Sequence, residues 1–146
     1  NVTTYSYRLN VANKRNFIGN GWTAPYYLNG MCSRNATRGF IAQEWRFSDF
    51  WISIDPKRKG YFLEVSYYDT NSTNPVDLFT YTQEGPVKIG SLLLNGTHTF
   101  REATFTLLKD SFYDYYNETG GFQQYFIIGD LPFFNLPISN VIVQEA

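Results

Sequence analysis

The sequence predicts an all-β sandwich, and three observations carry that prediction. Apolar residues recur with a period of two, in place of a helical period, in segment after segment, and Gly, Pro and Asn signals interrupt them at short intervals. The third observation is aromatic content: 12 Tyr, 13 Phe and 3 Trp, against only 17% charged residues, supply the side chains that a pleated surface packs best.

Strands are expected over residues 5–9, 40–47, 50–54, 61–69, 77–82, 100–107, 123–128 and 140–144. The cleanest alternation belongs to 61–69, where Tyr61, Leu63, Val65 and Tyr67 point one way and Glu64, Ser66 and Tyr68 the other. Residues 100–107 repeat the pattern with Ala103, Phe105 and Leu107 against Glu102, Thr104 and Thr106, and Phe50, Ile52 and Ile54 alternate with Trp51 and Ser53. Turn signals at Asn20-Gly21, Asp55-Pro56, residues 71–75, Gly85-Pro86, Asn95-Gly96, Gly120-Gly121 and Leu131-Pro132 separate the strands. The stretch from Gly21 to Asn29 reads as a turn-rich loop, and residues 108–116 as a short helical turn.

With 146 residues and 16.9 kDa, the chain is expected to be one domain spanning 1–146, which excludes a multidomain enzyme. A net charge of −1, without a basic run, argues against nucleic acid as a partner. One cysteine, Cys32, excludes an internal disulfide, and one histidine, His98, leaves no His/Cys metal cluster of the usual spacing. No apolar stretch approaches the roughly 20 residues that span a bilayer. No secretory leader opens the chain, so it reads as processed or cut from something longer. Glycosylation acceptor motifs begin at Asn1, Asn35, Asn71, Asn95 and Asn117, most of them in expected turns, and favour an extracellular setting.

From Arg46 onward the motifs follow a specific order. Glu64-Val65-Ser66-Tyr67-Tyr68-Asp69 precedes Val76-Asp77-Leu78-Phe79-Thr80-Tyr81, and then come Gly96-Thr97-His98-Thr99-Phe100-Arg101-Glu102-Ala103-Thr104-Phe105-Thr106-Leu107 and Ile138-Ser139-Asn140-Val141-Ile142-Val143. This order resembles the galactose-binding-domain-like β-jelly-roll modules attached to extracellular glycoside hydrolases. In those modules a Val-x-Val-x-Tyr-x-Asp strand leads to Leu-x-Tyr and then Gly-Thr-x-x-Trp-Lys-x-Ala-x-Phe-x-Leu. Phe100 stands where the family has Trp, and Gln124-Tyr125-Phe126-Ile127 replaces its Asp-Phe-Arg-Ile. The resemblance implies a jelly roll in which Val65, Tyr67, Phe105 and Leu107 are core and Asp69 bonds loop backbone at a strand end. It implies an accessory role without naming a sugar. Related jelly rolls often hold structural calcium, but no Asp/Asn/Glu spacing here specifies ligands, and no cofactor is expected.

Sugar recognition needs flat rings to stack on pyranose C–H faces and planar polar groups to bond hydroxyls. Two loop clusters fit: Trp22, Tyr26 and Tyr27 beside Asn20 and Asn29, and Tyr115 and Tyr116 beside Asp114 and Asn117. Rings that merely cover the open ends of a sandwich are the competing explanation. A rival site is a sheet-face platform of Trp51, Tyr68 and Glu64, which forms if their outward faces coincide; cross-strand packing is its competitor. The loop site is preferred, since Pro25 stiffens it and Gly21 frees its entry. The expected function is non-catalytic carbohydrate binding by an extracellular monomer that tethers a covalently linked catalytic domain to polysaccharide. The alternative is a structural or protein-docking sandwich of a secreted or surface assembly. A free-standing glycosidase ranks third, since no spacing pairs Asp69, Asp110, Asp114 or Glu118.

Overall fold

The alternation at residues 61–67 is the spine of the structure. In a computed structural model that describes residues 6–12, 17, 21–39, 47–53, 60–71, 76–82, 85–108, 123–129 and 134–145, Tyr61, Leu63, Val65 and Tyr67 are all buried and Phe62 on the other side is exposed. Among the described residues there are ten strands and no helix: β1 (Ser6–Asn10), β2 (Tyr26–Leu28), β3 (Met31–Ala36), β4 (Asp49–Ser53), β5 (Gly60–Tyr68), β6 (Val76–Thr82), β7 (Gly85–Leu92), β8 (Phe100–Leu108), β9 (Gln123–Ile128) and β10 (Leu136–Glu145).

They form two antiparallel sheets. The six-stranded sheet runs β2-β3-β10-β5-β8, with β1 also paired to β10, and the four-stranded sheet runs β4-β9-β6-β7. Leu63, Val65, Tyr67, Phe105, Val141 and Val143 from the first meet Phe50, Ile52, Leu78, Phe126 and Ile128 from the second in one core, with Phe50 and Phe126 stacked at 5.2 Å. The β-sandwich expectation therefore holds, with β5 central between β10 and β8.

Strand β10 is unusual in having two successive neighbours on one flank. β3 pairs with it from Leu136 to Ile138, and β1 takes the same flank from Asn140 to Gln144, with a register shift at Ser139 where one gives way to the other. Beyond Arg34, therefore, β3 has no partner on β10 and continues with β2 as a hairpin at the sheet edge.

Three strands escaped the sequence reading: β2, β3 and β7. In β7, Pro86 and Gly90 break the pattern, as edge strands permit. Gly90 is required there, because any Cβ would collide with the Phe105 ring packed across from β8. Of the strand expected over 40–47, residues 40–46, including Trp45, lie outside the described residues, as do residues 109–116 of the helical turn expected over 108–116, whose first residue, Leu108, instead ends β8.

Candidate functional site

The loop expected from Gly21 to Asn29 is instead one arm of the β2–β3 hairpin. Asn29 and Gly30 both have positive φ, 48° and 78°, the two-residue turn that matches the right-handed twist of paired strands. Asn-Gly is the strongest short hairpin signal a sequence offers, and here it sits directly between Leu28 and its partner Met31.

The hairpin contains a bulge that decides where its rings point. Tyr26 is opposite Ser33 and Trp22 opposite Ala36, so four steps along one strand match three along the other. The extra residue falls within Thr23–Ala24–Pro25, where Pro25 has no N–H to give a ladder. Because partners share a face, Trp22 lies on the side of the buried Ala36, and Tyr26 on the opposite side, over the buried Ser33 and beside the half-buried Asn35. Tyr27 takes the opposite face, with Cys32. The three rings thus do not form one cluster.

Trp22 is half-buried at the edge of the core, not held exposed as expected. Its Nε1 donates to Asp49 O at 2.8 Å, and its ring meets Phe17 edge-on at 4.9 Å and 82°. Gly21 does not free the loop; it is clamped. A Cβ there would come within 2.6 Å of Ser48 N, and the buried Ser48 Oγ donates to Gly21 O at 2.6 Å while accepting from Thr37 N and Arg38 N, each at 3.0 Å. Asn20 lies outside the described residues.

Tyr26, 36% exposed, donates its hydroxyl to Asn35 Oδ1, and Asn35 Nδ2 donates to Asn135 Oδ1 at 2.7 Å. Tyr27 is 79% exposed. Beneath it the hairpin is held by the buried Arg34, whose guanidinium donates to Val11 O, to Thr23 O at 3.0 Å and to Ala12 O at 3.3 Å. A charge can be buried there because three nitrogens each find a carbonyl. Nothing in the period of the sequence marked Arg34 for this role, since one arginine among alternating residues carries no partner information.

The sheet-face platform does not assemble. Trp51 stands on β4 of the four-stranded sheet, alternating with the buried Phe50 and Ile52, whereas Tyr68 and Glu64 stand on β5 of the other sheet. Their outward faces therefore look away from each other across the sandwich. Tyr68 packs edge-on against its cross-strand partner Phe100, with ring centres 5.3 Å apart, and lies 6.4 Å from His98. Tyr115 and Tyr116 lie outside the described residues.

Asp69 bonds loop backbone, as the resemblance implied. Its fully buried carboxylate accepts from the Thr97 hydroxyl at 2.6 Å, from Asn95 N at 2.7 Å and from Gly96 N and Thr97 N at 3.1 Å, with Arg101 Nη1 at 3.6 Å. The Thr97 hydroxyl and these amides, outweighing burial, hold the carboxyl well below the usual carboxylate range. The group fixes the turn in which Gly96 and His98 adopt positive φ, so Asp69 is committed to structure. Among the described residues, no three His, Cys, Asp or Glu side chains gather as metal ligands, and no helix is long and apolar enough to cross a membrane.

This architecture is similar to three solved structures. The C-terminal CBM6 of LamC, a marine laminarinase from Zobellia galactanivorans, matches with a TM-score of 0.59 over 97% of this chain and 100% of its own, at 10% identity. The fold is that of the β-jelly-roll carbohydrate-binding modules. CBM29_1, a family 29 carbohydrate-binding module from Piromyces equi, gives a TM-score of 0.51 at 10% identity over 99% of this chain and 93% of its own. The K3 cleaved adhesin domain of Lys-gingipain from Porphyromonas gingivalis w83 gives 0.52 at 8% identity over 96% and 91%. No protein-family model and no curated protein matches the chain. At these identities the likeness is one of fold.

Proposed function

We propose that the chain is a non-catalytic carbohydrate-binding domain and that Tyr27 is the ring on which a pyranose stacks. The observation that carries this reading is the 79% exposure of Tyr27 on a hairpin whose base is immobilised by Arg34 and Ser48. A large ring held open to solvent on a stiff support loses little freedom when it meets a flat ligand. Tyr26, with Asn35 and Asn135, offers hydroxyl and amide groups on the other face of the same hairpin. The fold is shared with the binding module of a laminarinase, which supports the further reading that this domain works outside the cell as a monomer and tethers a linked hydrolase to polysaccharide.

The test is retention of the chain on a panel of insoluble and soluble polysaccharides, followed by titration with the best binder. Tyr27→Ala is expected to weaken binding by about five- to a hundredfold, on the order of 1–3 kcal/mol, while the chain stays folded. A second reading, protein docking, is favoured by the likeness to an adhesin domain. Failure to retain any polysaccharide favours that reading.

A further inference from the structure

Five asparagines carry the same acceptor motif, and the two whose motifs lie wholly within the described residues, Asn35 and Asn95, differ in their surroundings. Asn95-Gly96-Thr97 forms the turn leading into β8, with Asn95 and Thr97 exposed and the backbone of all three held by Asp69. In the orientation that satisfies both ends of its amide, Asn95 Oδ1 accepts from Arg101 Nη1 at 3.0 Å and Nδ2 donates one hydrogen to Leu94 O at 3.3 Å. The second Nδ2 hydrogen is the one a glycan replaces. Gly96 carries no side chain to crowd that nitrogen, and the bonds to Arg101 and Leu94 survive the substitution.

Asn35-Ala36-Thr37 is the contrasting case. Asn35 lies on β3, in a ladder with neighbours on both sides: Pro137 of β10 is directly opposite, and on the other flank Thr23 N donates to Asn35 O while Asn35 N donates to the Thr23 hydroxyl. Its amide is fixed between the Tyr26 hydroxyl and Asn135 Oδ1. Asn35 is half-buried in this ladder, whereas Asn95 is exposed in its turn.

We propose that Asn95 is an N-glycan acceptor of this protein and that Asn35, bearing the same motif, is not. The glycan is attached two residues from Leu93, an apolar side chain 63% exposed. It also leaves Tyr27 clear, because β8 and β2 form opposite edges of the six-stranded sheet. The inference rests on the extracellular part of the functional reading.

The test secretes the whole chain from a glycosylating eukaryotic host behind a foreign leader and reads intact glycopeptide masses. Intact masses are needed because Asn-Gly pairs deamidate spontaneously and imitate the label left by enzymatic release. The expected result is glycan mass on the Asn95 peptide, none on the Asn35 peptide, and one lost mobility step in Asn95→Gln but not in Asn35→Gln. A bare Asn95 peptide or a glycosylated Asn35 peptide overturns the proposal. Because the readout is mass, failure here leaves polysaccharide binding standing, and failure to bind polysaccharide leaves the acceptor result standing.

Discussion

In β5 the side a residue takes follows from its number: odd positions from Tyr61 to Tyr67 are buried in the core, and even ones lie on the other face, where Phe62 is exposed, Glu64 and Tyr68 are half-buried and Ser66 is covered. Between Gly21 and Ala36 the same counting fails, because one surplus residue near Pro25 turns Trp22 in and Tyr26 out although both have even numbers. β5 is flanked by β10 and β8 along its length, and a slip there would exchange its whole apolar set for Phe62, Glu64 and Tyr68. Among the described residues the hairpin has one unpaired edge, and it tolerates a bulge. Strictness belongs to the centre of a sheet, and positional freedom for exposed rings belongs to its margin.

This contrast can be broken most violently at the centre. Val65→Asp buries an unpaired charge where exposure is nil and should cost more than about 4 kcal/mol, seen as loss of the cooperative melting transition. At the margin, Trp22→Ala removes a half-buried ring and the indole bond to Asp49 O, and a cost of about 2–4 kcal/mol in urea unfolding is expected. A loss that size identifies Trp22 as a core residue; a change confined to binding would return it to the ligand surface.

Acid separates the two regions by another route. The Asp69 carboxyl titrates lower folded than unfolded, so the stability it contributes is complete above the ordinary carboxylate value, about 4, and is lost as pH falls toward the folded value. Urea midpoints measured from about pH 6 down to about pH 2 should fall steeply, and Asp69→Asn should flatten that fall while lowering the midpoint at neutral pH. At the hairpin turn, Gly30→Ala places a Cβ on a residue with φ of 78° in otherwise open space, costing about 1 kcal/mol of backbone strain alone. The smallest effect on stability belongs to Tyr27→Ala, within about 0.5 kcal/mol, and its divergence from the large binding loss is the sharpest statement of what the margin is for.

The strands with strict alternation were legible from sequence: β4, β5, β6, β8, β9 and much of β10 lie where the period of two and the turn residues put them. Asp69 was legible through family likeness, since its partners Asn95 and Thr97 stand 26 and 28 positions away and no local pattern joins them. The hairpin was missed although Asn29-Gly30 announced it, because aromatic residues beside Pro25 read as loop. The bulge has no sequence signature beyond that proline, so the sides taken by Trp22 and Tyr26 became visible only through their partners Ala36 and Ser33. Likewise, alternation places Trp51 and Tyr68 on outward faces but does not say that the faces belong to different sheets.

The double flank of β10 governs when the molecule can fold as well as how it looks. β10 follows every other strand in the chain, yet β1, β3 and β5 all pair with it. While a ribosome is still adding residues 136–145, β1 has no strand partner among the described residues and β3 has only β2. The six-stranded sheet is therefore assembled after synthesis of Glu145, by closures that bring Ser6 to Gln144 and Ala36 to Leu136. Pairings so distant in sequence make for slow folding, and until they form, the nascent chain exposes the apolar strands that a chaperone would hold.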